Sequence, residues 1–139
     1  MTKGVNGRMK RRTAREKALQ ALFQIDVSNT EPSLAIEHVL EGEPSDDYLK
    51  RLVLGVVEQK AEIDNVIIGN LEKWTLDRLA TVDRNLLRMA AFELKFCQEI
   101  PGNVILDEAI EIAKIYGDDQ SSKFINGVLS KIKDTLHNN

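Results

Sequence analysis

Apolar residues recur at intervals of three and four along nearly the whole chain, and glycine, proline and short acidic or Ser/Asn runs separate the segments that keep this rhythm. That period puts the apolar side chains on one stripe of a helix, so the chain is bound to fold as amphipathic helices packed stripe against stripe. Ala14, Ala18, Ala21, Leu22 and Ile25 predict a first helix over 14–27, and Thr13 with Glu16 has the spacing of a capping box. A turn at 28–33 leads into a short helix, "LAIEHVLEG", ended by Gly42. Ser45 followed by Asp46 and Asp47 reads as a cap with acids in the first turn. From there Leu49, Leu52, Val53, Val56, Val57, Ile63, Val66 and Ile67 predict one long helix to about Gly69, with Gly55 inside it marking a close helix contact. "NLEKWTLDRL" is a short irregular or helical joint. Thr81 is placed to cap a helix whose buried stripe is Leu87, Ala90, Ala91 and Leu94, and Pro101-Gly102 stops it. Asn103 can cap the next, with Ile105, Ala109, Ile112, Ala113 and Tyr116 on one face and Gly117 ending it in the left-handed conformation. Asp118 or Asp119 opens the last helix, with Phe124, Val128, Leu129 and Ile132 inside. The β-branched runs "VLGVV" and "VIIG" lie within helical periods, so the expected fold is all-α, a compact bundle of about six or seven helices.

A chain of 139 residues can bury a core without disulfides or metals. No apolar run approaches the roughly 20 residues of a membrane span. Nothing in the N-terminal region looks like a secretory signal. The one cysteine, Cys97, has no partner for an internal disulfide, and a reduced, cytoplasmic setting is expected. Charge is unevenly spread. Residues 1–17 hold seven basic residues against one acidic, a net +6, while the remainder holds twelve against twenty-one, a net −9. A basic arm on an acidic body suggests a polyanionic partner. Residues 1–10 are expected to be a flexible basic arm, with 1–8 disordered, and 11–139 a single helical domain.

Catalytic patterns are missing. His38 and His137 have no metal-ligand spacing with Cys97, which is expected to pack as a small hydrophobe. There is no glycine-rich phosphate loop, serine nucleophile elbow or zinc motif. Asp46–Asp47 and Asp118–Asp119 stand at helix starts, where capping accounts for them. No enzyme activity, cofactor or metal is expected.

Two segments do suggest binding. In "MKRRTAREKALQALFQID" the positive charge is densest beside a helix N-terminus, which repels cations, and a bound phosphate would remove that conflict. In "YGDDQSSKFINGVLSKI" another helix opens with unpaired N–H groups, the hydroxyls of Ser121 and Ser122, the cation of Lys123 and the ring of Phe124. Donors, a cation and an aromatic suit single-stranded RNA, although Phe124 equally fits the core stripe.

The blocks "RRTAREKALQALFQID", "DRNLLRMAAFEL" and "VILDEAIEIAKIYGDDQSSKFINGVLSKI" resemble the NusB family of bacterial transcription antitermination factors, from about Met9 onward. The resemblance implies an all-helical protein of two small helical subdomains that binds boxA, a single-stranded signal in ribosomal RNA leaders. The family does so with NusE, a small-subunit ribosomal protein, and joins other Nus factors on RNA polymerase to promote read-through. Matched residue by residue, it implies RNA contacts at Arg11, Arg12, Arg15, Gln120, Ser121, Lys123 and Phe124, and NusE contacts at Phe23 and Asp83, the latter expected to be exposed. Thr13 stands where some relatives have a third arginine, and Gln120 where the family often has an acid. Two other readings remain: a helical protein-interaction module, and a stand-alone relative of the NusB-like domain of RNA cytosine methyltransferases, of whose cofactor-binding half this sequence has no trace. Monomer and homodimer are both compatible with the sequence.

Overall fold

The computed structural model describes residues 9–137. Seven α-helices form there, and no strand among the described residues: α1 (Arg11–Ser28), α2 (Pro32–Leu40), α3 (Asp47–Glu58), α4 (Lys60–Ile68), α5 (Thr81–Phe96), α6 (Gly102–Tyr116) and α7 (Ser121–His137). The joint before α5 contains a 3-10 turn, Leu76–Arg78. The all-helical expectation holds.

The helix starts differ from the expected ones in instructive ways. α1 is already running at Thr13, because Ala14 N–H bonds the Lys10 carbonyl at 2.9 Å, so the Thr13–Glu16 capping box is not formed. Residues 1–8 of the expected arm lie outside the described residues, but Met9 is anchored: its N–H donates to Asp46 Oδ1 at 3.0 Å. Asp46, not Ser45, caps α3, accepting from Leu49 N–H at 3.0 Å. One carboxylate thus fixes both the entry to α1 and the start of α3. Thr81 and Asn103 sit inside the first turns of α5 and α6 rather than capping them. Gly117 is extended (φ −92°, ψ −174°) rather than left-handed. What requires glycine there is space, since a Cβ would overlap the Ser121 side chain.

The long helix expected up to Gly69 is two helices, α3 and α4, broken at Gln59 (φ −103°, ψ 20°). The hydrogen bonds Gln59 N–H to Gly55 and Ile63 N–H to Gln59 carry the chain through the break. Gly55 does mark a close contact: a Cβ there would overlap the Phe92 ring of α5.

Helices α1, α2 and α3 pack on one another, as do α5, α6 and α7, with α4 against α5 and α7. These are the two small helical subdomains, and α5 joins them by packing on α1 and α3 as well. Every residue from Asn85 to Leu94 is buried, and one continuous apolar cluster runs through both halves. Cys97 lies in that cluster as a buried free thiol. No helix among the described residues is long and apolar enough to cross a membrane.

Candidate nucleic-acid interface

The three arginines of α1 occupy three different environments. Arg11 is exposed and lays its guanidinium 3.9 Å from the centroid of the Tyr48 ring, a cation–π contact. Arg12, one residue on, is half-exposed and forks onto Glu108 of α6, with Nε to Oε1 at 2.6 Å and Nη2 to Oε2 at 2.8 Å. Arg15 turns inward and is 3% exposed. It forks onto Glu93 of α5, with Nε to Oε1 at 3.0 Å and Nη2 to Oε2 at 2.8 Å, and its Nη1 reaches Glu108 at 3.4 Å. The Tyr48 hydroxyl donates to Glu93 as well. Arg15, expected among the RNA contacts, has its donors engaged inside the protein. Unpaired burial of such a charge would cost several kcal/mol, so the helix can carry Arg15 there only because Glu93 and Tyr48 meet it.

The protonation states follow from these contacts. Burial, reinforced by the negative charge of Glu93, pushes the Tyr48 phenol well up, so it stays a donor. Burial disfavours the Arg15 cation, but the hydrogen bonds and charge of Glu93 outweigh it. Hydrogen bonds from Arg12 hold the Glu108 carboxyl below the usual range against partial burial, with the Arg12 and Arg15 charges adding to the effect.

The second nest is the start of α7. Ser121 is buried, and its hydroxyl accepts from Asp118 N–H at 3.0 Å and lies 3.3 Å from Asp118 Oδ1. Gln120 N–H donates to the same carboxylate oxygen at 2.9 Å. Ser121, expected among the RNA contacts, closes the turn before α7, and Asp118 already supplies a negative group beside this helix end. Gln120 and Lys123 are exposed, and Lys123 has no ion-pair partner among the described residues. Phe124 is half-buried against the core and lines an open cavity of roughly 270 Å³ with Trp74, Leu79, Asp83 and Gln120. Asp83, expected to be exposed, is 9% exposed, and its Oδ1 is buried without a hydrogen-bond partner. Burial lifts its carboxyl above the usual range; a Ser121 hydrogen bond offsets part of the rise and the charge of Asp118 adds to it.

Gly117, just past the end of α6, is nine positions on from Glu108. At 1.5 Å per residue, that sets the two nests about 14 Å apart along the helix. Arg11 and Arg12 belong to one nest, and Gln120, Lys123 and Phe124 to the other. Phe23 is exposed elsewhere on α1, with exposed Val27 one turn further. Between them in sequence, Asp26 ties α1 to the start of α5 through Arg84 Nε at 2.9 Å and Asn85 Nδ2 at 2.9 Å. Burial raises the Asp26 carboxyl, but bonds from Asn85 and Arg84 bring it below the usual range. Phe23 and Asp83 thus lie toward the same end of the α1–α5 pair, one outside and one inside.

Tyr48, Glu93 and Glu108 were not foreseen as part of the site. The one available signal was Glu93, an acid set within the apolar run "AAFELKF" and hence on a helix with no free face. Among the described residues no group of three or more His, Cys, Asp and Glu side chains is arranged to hold a metal.

The NusB family model matches residues 12–134. The transcription antitermination protein NusB of Bacillus licheniformis is 59% identical over 128 residues, covering 92% of this chain and 99% of the relative. That of Bacillus velezensis is 58% identical over 125 residues, covering 90% and 96%. Among solved structures, T. maritima NusB superposes with a TM-score of 0.84 at 40% identity, covering 91% of this chain and 92% of that one. A crystal structure of antitermination factors NusB and NusE in complex with dsRNA superposes with a TM-score of 0.82 at 32% identity, covering 90% and 96%.

Proposed function

The chain belongs to the NusB family, and from that membership we propose that it is an RNA-binding transcription antitermination factor, an adaptor and not an enzyme. Its ligand is boxA-type single-stranded RNA from ribosomal RNA leaders, and its protein partner is NusE. The pair joins other Nus factors on RNA polymerase in the cytoplasm and supports read-through. Residues 11–139 act as one functional unit. Arg11, Arg12, Gln120, Lys123 and Phe124 face RNA. Arg15 and Ser121 support them from inside, Arg15 by fixing α1 on α5 and Ser121 by closing the turn before α7. Phe23 offers an apolar surface to NusE, and Asp83 acts from beneath the start of α5.

The observation that carries this reading is the pair of exposed Arg11 and half-exposed Arg12 at a helix start with no acid in its first turn, mounted on α5 by the buried Arg15–Glu93 pair. Cations there oppose the helix dipole, and phosphates would relieve the opposition. The test is a titration of boxA RNA, a scrambled single strand and a duplex, with and without NusE, at several salt concentrations. Preference for boxA that strengthens with NusE is expected. Neutralising Arg11 and Arg12 together should reduce the salt slope by about 1.4 at most, at roughly 0.7 per phosphate of a single strand. Equal affinity for all three RNAs together with an unchanged slope in the double variant would overturn the reading.

A further inference from the structure

We propose that Glu108 is an intramolecular stand-in for RNA phosphate: in the free protein its carboxylate occupies the edge of Arg12 that a phosphate would take, and RNA binds by taking Arg12 away from it. The inference rests on the RNA-binding reading above and names a residue that sets the affinity of that same site.

The geometry of the fork is the first ground. A carboxylate and a phosphate both accept two parallel N–H bonds from a guanidinium, and Glu108 accepts them from Nε and Nη2 at 2.6 and 2.8 Å. The second ground is exposure. The side chains of Arg12 and Glu108 are 38% and 23% exposed, against 4% and 2% for Arg15 and Glu93. The outer pair can exchange partners without opening the core, and the inner pair cannot. The third ground is what becomes of Glu108 afterwards. Arg15 Nη1 already lies 3.4 Å from its Oε1, so the carboxylate keeps a cation when Arg12 leaves. Stranding a half-buried charge, the step that would make the exchange costly, is avoided. Arg11 has an aromatic face beneath it where Arg12 has a carboxylate, so the competition is specific to Arg12.

An exchange of this kind alters the ion count. Arg12 enters the complex already neutralised, so the phosphate it gains is set against the carboxylate it loses. Its share of the salt slope is then less than that of a free cation.

The test compares wild type, Glu108→Gln and Glu111→Gln in boxA titrations with NusE across salt. Glu111 removes the same charge from the same helix but bonds Lys114 at 3.2 Å instead of Arg12. Glu108→Gln is expected to tighten binding by about two- to fivefold, the worth of a partly exposed ion pair. It should also steepen the slope by up to about 0.7. Glu111→Gln should do clearly less, and adding Arg12→Ala to Glu108→Gln should erase the gain. Because Glu108 also meets Arg15, Glu108→Asp serves as a second variant: it keeps the charge, shortens the reach to Arg12, and should tighten binding to a smaller degree. If neither variant tightens binding, or if Glu111→Gln matches Glu108→Gln, the proposal is overturned and Glu108 only positions Arg12 or adds to the general field. Arg11→Ala separates the two readings. If it weakens binding while the Glu108 variants do nothing, only this inference falls; if it also leaves affinity and slope untouched, the RNA site itself is misplaced.

Discussion

Arg12 and Arg15 are three residues apart and chemically identical, but the structure gives them opposite duties. Arg15→Ala would leave Glu93 buried with only Tyr48 for company, and should cost about 3–5 kcal/mol of stability. Arg12→Ala opens a partly exposed pair and should cost no more than about 1 kcal/mol. Urea unfolding of the two variants checks this; equal losses would mean that Arg15 is not the interior anchor described. The sequence could show both as cations beside a helix start. It could not show the burial of Arg15, because the partner that permits it lies 78 residues away on another helix. Asp83 is the second residue whose surroundings matter more than its type. Its folded pKa is raised, so its contribution to stability is full below the ordinary carboxylate pKa and is lost as pH rises through the raised value. Asp26 and Glu108 are shifted the other way, so theirs is present above the ordinary value and lost on acidification. The difference in unfolding free energy between wild type and Asp83→Asn cancels those shared groups. It should move against the wild type from about pH 4 upward. A pH-independent difference would place Asp83 in contact with solvent.

The elements were legible to different depths. The apolar stripes placed every helical stretch but ran α3 and α4 together as one, since the period of each stripe is written in the residues themselves. The break at Gln59 was not, because nothing in "VVEQKAEID" interrupts the 3–4 spacing. Helix starts were the least legible feature. Ser45, Thr81 and Asn103 all have the right chemistry for caps, yet the carbonyls of Asp46, Ala80 and Pro101 already take up the first helical N–H groups. Gly55 was readable because a glycine amid apolar residues has few other uses. Gly55→Ala tests the reading at this scale. Alanine favours a helix by up to about 1 kcal/mol over glycine. Here, however, its methyl would force the buried Phe92 ring to move, at about 1–3 kcal/mol. A lower melting temperature is expected, and recovery when Phe92→Leu is added would tie the loss to that contact.

Across the whole molecule, charge and core follow one plan. The acidic excess of the body is partly spent on internal pairs: Glu93 and Glu108 on the α1 arginines, and Asp26 and Asp64 on Arg84 and Arg88. The net charge of residues 1–17 therefore overstates the cations open to a polyanion. Arg15 is withdrawn, Arg12 is shared, and of the three Arg11 alone forms no carboxylate ion pair among the described residues. The candidate RNA surface was legible as two segments but not as neighbours along α6, because only the folded chain brings Arg12 onto Glu108, 96 residues away, with the α7 start at the far end of the same helix. The place of α5 between the two halves has a consequence for motion. A helix walled in from Asn85 to Leu94 has no local way to release its amide hydrogens to solvent. In deuterium-exchange measurements these amides should be the slowest in the protein and should exchange only through global unfolding. The amides of α2, which packs mainly on α1 and α3, should exchange through smaller openings. The arginine mount, fastened to α5 at Glu93, would then persist for as long as the molecule itself stays folded.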